Sequence, residues 1–330
     1  MNVLGIETSC DETAASVVNA EGVCSDVVWT QTIHQAYRGV VPELASRAHA
    51  EKITTVVQQA LAEAGIEKPD GVVATAGPGL IGAVLVGLSF GKALAAGWEV
   101  PFVGVNHLEG HLLSPLLEPA PLDFPFLGLV VSGGHTQLYL AEDVGRYISL
   151  ATTVDDAAGE AYDKVARVLD LGYPGGPPID RLARTGDAKA VPLPRPRVKG
   201  SDNWSFSGLK TAVRNRAQSH DDAPADLAAG FQEAVVDVLL DRVRRAVKRT
   251  GVRRVGVSGG VAANSALRHR LCNEPGLHVV LPPKSRCTDN GAMIAHAGRL
   301  RLIRGQRDTL DLGARPRWPL DAMTPPEGAA

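Results

Sequence analysis

Cysteine is scarce in this chain. Four stand in 330 residues, Cys10, Cys24, Cys272 and Cys287, and no two form a CxxC pair. That argues against a disulfide framework and fits a reducing, cytoplasmic setting. An excess of positive charge is also missing. Lys and Arg number 34 against 36 Asp and Glu, for a net charge of −2. Wholesale coating of nucleic acid is thereby excluded, and any nucleic-acid site must be a local basic patch. The opening stretch MNVLGIETSCDET lacks a basic segment followed by an apolar one, so no signal peptide is expected. No long apolar run is free of interruption. The longest, Leu80 to Trp98, carries Lys92 and several glycines and reads as a buried helix, not a membrane span. Gly87 to Ala93, GLSFGKA, is one residue short of a phosphate-binding P-loop and has Ala93 where Ser or Thr should follow the lysine.

What is present is an ordinary apolar fraction, 45%, over a length that suits two medium domains. Val3–Ser9, Ala14–Asn19 and Val23–Thr32 read as three strands joined by tight turns. Helical periodicity over Ala48–Gly65 ends on a glycine. GVVATAGPG is a strand entering a turn, the apolar helix follows, and PFVGVNH is a further strand. The pattern then restarts. Phe126–Asp143 is strand, glycine turn and strand again. A polar, helical region runs from Asp155 to about Arg249, then a strand, Gly-Gly turn and helix, a short strand at LHVVLPP, and a last helix at CTDNGAMIAHAGRLRLI. Two similar halves predict a duplicated α/β unit around a cleft. Beyond Arg304 the chain turns Pro-, Arg- and Asp-rich, which reads as a loose tail over 306–330.

Chemistry concentrates in a few turns. ETSCDET sets Glu7, Asp11 and Glu12 at a hairpin, where a carboxylate cluster can hold a cation or act as a base, or be only a polar hairpin tip. SGGHT, Ser132 to Thr136, lets backbone N–H groups approach an anion because no Cβ intervenes. VSGGVAAN places a second Gly-Gly before a helix N-terminus, where the dipole favours a phosphate. It lacks the spacing of a dinucleotide-binding turn.

VNHLEGH sets His107 and His111 four apart, on one face of a helix. A zinc protease needs its glutamate directly after the first histidine. Glu109 comes two positions after, about 200° round a helix of 3.6 residues per turn, and so points away from a metal held by both rings. A histidine pair alone is as compatible with a structural role. Asp289, at the start of the last helix, offers a third donor, and two histidines with one carboxylate suit iron(II) or zinc.

The segments GIETSCDET, VVPELASRAH, AGPGLIGAVLVG, VNHLEGH, VSGGHTQL, DDAAGEAYDKVAR, GYPGGPPID, FSGLKTAV, SGGVAANSALR and CTDNGAMIA occur in an order that resembles the bacterial TsaD family. That family comprises tRNA N6-adenosine threonylcarbamoyltransferases, universal proteins of the Kae/Gcp type. The resemblance runs from about Val3 to Ile303. It implies an actin-like (ASKHA) two-lobe α/β fold of two ribonuclease-H-like units, with one lobe over 1–122 plus 290–305 and the second over 123–289. It implies transfer of threonylcarbamoyl from threonylcarbamoyl-AMP to N6 of adenosine 37 in tRNAs reading codons that start with adenine, with AMP released.

The metal ligands implied are His107, His111 and Asp289, holding one divalent ion, Fe2+, with Zn2+ and Mg2+ as alternatives. Implied substrate contacts fall on Val130, Val131, Ser132, Gly133, Gly134, Asp163, Gly176, Asp180 and Asn264. Partners implied are tRNA, a TsaB paralogue and the TsaE ATPase, with no membrane. Two departures from the family pattern stand out, Tyr162 where phenylalanine is usual and Arg38 where a small residue is commoner.

The donor carbonyl of a mixed anhydride is already activated, so orientation, polarisation and leaving-group stabilisation suffice. Asp11 and Glu12 are the candidates for accepting the amine proton. Arg242–Arg254, with seven Lys and Arg and no acid, and the loop Pro194–Gly200 are the basic segments available to tRNA, unless they are only solvated surface. The competing readings are an ATPase or kinase on the same fold, a metallopeptidase, and a non-catalytic scaffold.

Overall fold

The computed structural model describes residues 1–37, 39–219 and 221–326; Arg38, His220 and the last four residues lie outside them. The chain opens with strands β1 (Val3–Glu7), β2 (Glu12–Val18) and β3 (Val23–Thr30), followed by helix α1 (Pro42–Glu63). Strand β4 (Gly71–Gly77), helix α2 (Ile81–Trp98), strand β5 (Phe102–Asn106) and helix α3 (His107–Leu113) come next. The second series comprises β6 (Phe126–Val131), β7 (Thr136–Asp143), β8 (Arg146–Thr152), α4 (Ala158–Val168), α5 (Gly176–Ala183), α6 (Ser207–Ser219) and α7 (Pro224–Thr250). Strand β9 (Arg254–Ser258), helix α8 (Ser265–Cys272), strand β10 (His278–Val280) and helix α9 (Gly291–Ile303) complete the ordered elements.

Two five-stranded sheets result, ordered β3-β2-β1-β4-β5 and β10-β9-β6-β7-β8. In the first, β1 pairs antiparallel with β2 and parallel with β4, and β4 runs parallel to β5. In the second, β6 pairs antiparallel with β7 and parallel with β9, and β9 runs parallel to β10. Read from the far edges, the two orders coincide, so the α/β unit occurs twice. The chain divides into two compact units. One holds Met1–Pro121, Glu142–Tyr147 and the chain from Asp289 onward, and the other holds Leu122–Ala141 and Ile148–Thr288.

Each unit has its own core. In the first, the apolar faces of β1, β2 and β4 (Leu4, Ile6, Val17, Val72) meet Ile53, Val56 and Val57 of α1 and Leu88 of α2. In the second, Leu127, Leu129 and Val257 of the sheet meet Tyr162 of α4 and Phe231, Val235 and Leu239 of α7, with Trp204 and Phe206 packed among them. Helix α9 lies against β1 and β4 so closely that only glycine fits at the crossings. A Cβ on Gly5 would stand 2.4 Å from the Ala295 backbone nitrogen, and one on Gly298 would stand 2.5 Å from Val73. This approach fixes where α9 begins, and with it Asp289.

Three sequence expectations change. The first helix starts at Pro42, six residues before the periodic stretch, because proline occupies its first turn and Val41 before it offers no side-chain cap. Helix α2 is not a fully buried helix. Ala83, Val84, Gly87, Leu88, Gly91 and Ala95 form its buried face, while Ile81 and Leu85 are 48% and 46% exposed. It is long and apolar enough, by length and composition, to cross a membrane, and its buried face packs into the first core. The stretch 306–326 is not a loose tail. Gly104 N–H donates to Asp308 at 2.8 Å, Arg315 N–H to the Ala76 carbonyl at 2.7 Å, and Asn106 to the Trp318 carbonyl at 2.9 Å. Leu312 and Trp318 join the first core and Leu320 is fully buried.

Candidate metal centre and substrate pocket

Helix α3 begins at the end of β5, where Asn106 caps it by accepting from the N–H groups of Leu108 and Glu109. The cap sets the helical phase that puts His107 and His111 side by side, with ring centroids 4.8 Å apart and nearly perpendicular. Asp289 arrives one residue before Asn290, which caps α9 through Met293 N–H. Its Oδ1 stands 2.9 Å from His111 Nε2 and 3.6 Å from His107 Nε2. One ligating atom from each of the three lies within 4.8 Å of the others. The donor set expected from spacing thus converges, and its chemistry fits a divalent transition metal.

Of the acidic hairpin, the residue that meets the histidines is Glu7, not Asp11 or Glu12. Glu7 is wholly buried and accepts from His107 Nδ1 at 2.9 Å and from Thr75 Oγ1 at 2.6 Å. Burial opposes its charge, but His107 outweighs burial and holds the Glu7 carboxyl below its ordinary range. Burial likewise opposes a charged His107, while Glu7 and Asp289 hold its pKa up at about 9. Glu12 opens β2, and burial, together with Asp289 and Asp11, pushes its carboxyl well above the usual range. A proton acceptor needs a pKa near the working pH, so this shift runs in a useful direction.

Glu109 is committed elsewhere. It accepts from Arg301 Nε and Nη2 at 2.6 Å each and from the Tyr147 hydroxyl at 2.6 Å, in a fully buried cluster. Burial works against the Arg301 charge, and Glu109 more than restores it.

In the second unit a pocket of about 480 Å³ is lined by Gly133, Asp163, Gly176, Asp180 and Asn264, five of the expected substrate contacts. Tyr162, Tyr173, Pro174, Arg181, Arg184, Lys284 and Thr288 complete much of the wall. Val130 and Val131 are not on that wall; both are buried strand residues of β6. Ser132 stands behind the turn, where its hydroxyl accepts from His135 N–H at 3.1 Å. Gly133 and Gly134 are exposed, and a Cβ on either would meet no protein atom within 4 Å. Asp163 receives Gly175 N–H at 2.7 Å, and burial raises its pKa. Asp180 holds the Ser265 hydroxyl at 2.6 Å and Arg184 at 2.9 Å. Asn264 caps α8 and donates to Gln232 at 2.6 Å and to the Tyr162 hydroxyl at 3.3 Å. The hydroxyl that distinguishes Tyr162 from phenylalanine is therefore used. Lys284 carried no sequence signal beyond its closeness to CTDN, and Thr288 none beyond being the threonine of that segment.

The basic run on α7 is mostly neutralised within the protein. Arg244 forms a paired contact with Glu274 at 2.7 Å, Arg245 meets Asp241 at 3.1 Å, and Arg249 meets Asp202 at 3.2 Å. Arg242 is buried and contacts Asp241. Its segment meets the Pro194–Gly200 loop at a hollow of about 410 Å³ lined by Arg197, Lys199, Arg242 and Arg245, with Asp202 the acid among them.

The fold defines the class. The chain superposes on HypF in its phosphate- and nucleotide-bound form with a TM-score of 0.65 over 92% of this chain and 47% of that one, at 15% identity. It also superposes on the ADPNP-bound activator of 2-hydroxyisocaproyl-CoA dehydratase from Clostridium difficile, with a TM-score of 0.53 over 94% of this chain and all of the other, at 15% identity. These likenesses place it among the actin-like, ASKHA-type α/β folds. The family follows from sequence. The profile of TsaD, tRNA N6-adenosine threonylcarbamoyltransferase, matches residues 22–296. Enzymes of that name from Novosphingobium aromaticivorans and Geobacter sp. strain M21 are 50% and 52% identical, each over 98% of this chain and nearly all of their own. The chain belongs to the TsaD family, and its activity is that of a transferase in threonylcarbamoyladenosine formation on tRNA.

Proposed function

We propose that the chain takes threonylcarbamoyl from threonylcarbamoyl-AMP and delivers it to N6 of adenosine 37, in tRNAs reading codons that start with adenine. The observation that carries this is the convergence of His107, His111 and Asp289 in a member of this family. These residues would hold one divalent ion, Fe2+, with Zn2+ or Mg2+ as alternatives. When bound, such an ion supplies Lewis-acid polarisation of a carbonyl oxygen.

The remaining work falls to the chain. The pocket wall at Asp163, Gly176, Asp180 and Asn264 would hold the adenylate. Gly133 and Gly134 present unobstructed backbone to its oxygens. N6 attacks the carbamoyl carbon, the bond from that carbon to the phosphate oxygen breaks, and AMP departs. The proton leaving N6 passes to a carboxylate, for which Glu12 and Asp11 are the candidates. Phosphates of tRNA would meet Arg197 and Lys199, which form no ion pair among the described residues, in preference to the α7 run.

Ile81 and Leu85, one turn apart on α2, offer an apolar face for a TsaB paralogue, with TsaE as the ATPase that sustains turnover. A cytoplasmic setting accords with these partners. The peptidase reading is weakened by the commitment of Glu109, the glutamate between the two histidines, to Arg301 and Tyr147. An ATPase or kinase reading rests on fold alone. Mass spectrometry of tRNA nucleosides from a strain depleted of this protein tests the proposal: threonylcarbamoyladenosine should fall and unmodified adenosine 37 should rise. An unchanged nucleoside profile would overturn it.

A further inference from the structure

We infer that Glu7 is the positioning residue of the metal centre, holding the His107 ring so that Nε2, not Nδ1, is presented beside His111 and Asp289. The inference rests on the metal reading above and assigns a role to a residue outside the ligand set. Glu7 ends β1, is wholly buried, and has three donors converging on its carboxylate. Ser9 N–H reaches Oε1, and Thr75 Oγ1 reaches Oε2 at 2.6 Å. His107 Nδ1 reaches the same Oε2 at 2.9 Å. With both oxygens facing protein donors, Glu7 serves as an acceptor and not as a fourth ligand.

A hydrogen bond between a ring nitrogen and an ionised carboxylate needs the proton on the ring. Nδ1 therefore carries hydrogen, and Nε2 is the nitrogen left for coordination once a metal displaces its proton. That nitrogen is the one 3.6 Å from Asp289 Oδ1. A histidine ligand whose other N–H is donated to a carboxylate is fixed in tautomer and ring angle and made more basic. Ser9 Oγ, 3.1 Å from the same Nδ1, holds the ring from a second direction. Thr75 comes from β4 and so ties the carboxylate to the neighbouring strand.

The test uses the full-length protein stripped with a chelator and titrated with Zn2+. Glu7→Gln keeps an acceptor oxygen but removes the charge, and should weaken Zn2+ binding about 10- to 100-fold. Far-UV circular dichroism of the metal-free variant should match that of the parent. Nitrogen-15 NMR of the unaltered Zn2+-loaded protein is the second measurement, independent of whether the variant folds. It should show His107 protonated at Nδ1 and metal-bound at Nε2. Metal on Nδ1, or a folded Glu7→Gln protein binding Zn2+ within twofold of the parent, would overturn the role of Glu7 alone. Failure of the unaltered protein to bind Zn2+ would overturn the metal reading as well.

Discussion

A methyl group added at Gly133 would meet no protein atom within 4 Å, so this glycine is not required by the fold. Any penalty for Gly133→Ala must come from what approaches the turn. The expected result is an unchanged melting temperature and at least about tenfold weaker binding of a non-hydrolysable adenylate analogue, a loss near 1.4 kcal/mol. Equal affinity would show that nothing docks there.

His296 makes a second prediction at this scale. Burial, with Arg299 nearby, depresses its pKa from 6.5 to about 3. As pH falls through about 6.5 the unfolded chain binds a proton at this residue, and the folded chain does not until about 3. Stability present above the upper value is thus lost on acidification between the two, by up to about 1.4 kcal/mol per pH unit. Urea denaturation from pH 7 to pH 4 should show a shallower decline in His296→Gln than in the parent. Parallel declines would contradict it. The convergence of His107, His111 and Asp289 was legible in sequence because HxxxH fixes two of them locally and CTDN supplies the third. The part played by Glu7 was not, since Glu7, Asp11 and Glu12 look alike in a hairpin until β4 and α3 are in place beside one of them.

Helix α3 divides its labour between two faces, the histidines on one and Glu109 on another. Glu109→Gln leaves Arg301 buried without its counter-charge, a loss of about 3–5 kcal/mol for a broken buried pair. Thermal unfolding should therefore shift markedly downward, with no metal-dependent peptide cleavage in either protein. Cleavage by the parent that disappears in the variant would restore the peptidase reading.

Helix α2 gives the opposite expectation. Ile81→Glu and Leu85→Glu alter exposed positions, so stability should hold while association with a TsaB partner fails in light scattering. Association at parental strength would remove this face as the contact. The helix itself was legible from its apolar run, which only Ser89 and Lys92 interrupt, but which of its residues face outward was not. The start of α1 had Pro42 in its first turn but no capping side chain at Val41, and the ordering of 306–326 rests on widely spaced contacts (Leu312, Trp318 and Leu320) that have no periodicity to read.

At the scale of the whole molecule, the duplicated strand order was foreshadowed by the repeated strand, glycine turn and strand. The parallel pairings that complete each sheet, β1 with β4 and β6 with β9, join residues too distant in sequence for any local pattern to record. The transferase activity follows from membership of the family, and the convergence of His107, His111 and Asp289 is where we propose that activity is located in this chain. The most direct measurement compares the parent with Asp289→Ala in a reconstituted reaction on tRNA, with bound metal and threonylcarbamoyladenosine measured on the same preparations. The account predicts that Asp289→Ala keeps the circular dichroism of the folded chain and loses both bound metal and transfer. Full metal occupancy with undiminished transfer in that variant would contradict it.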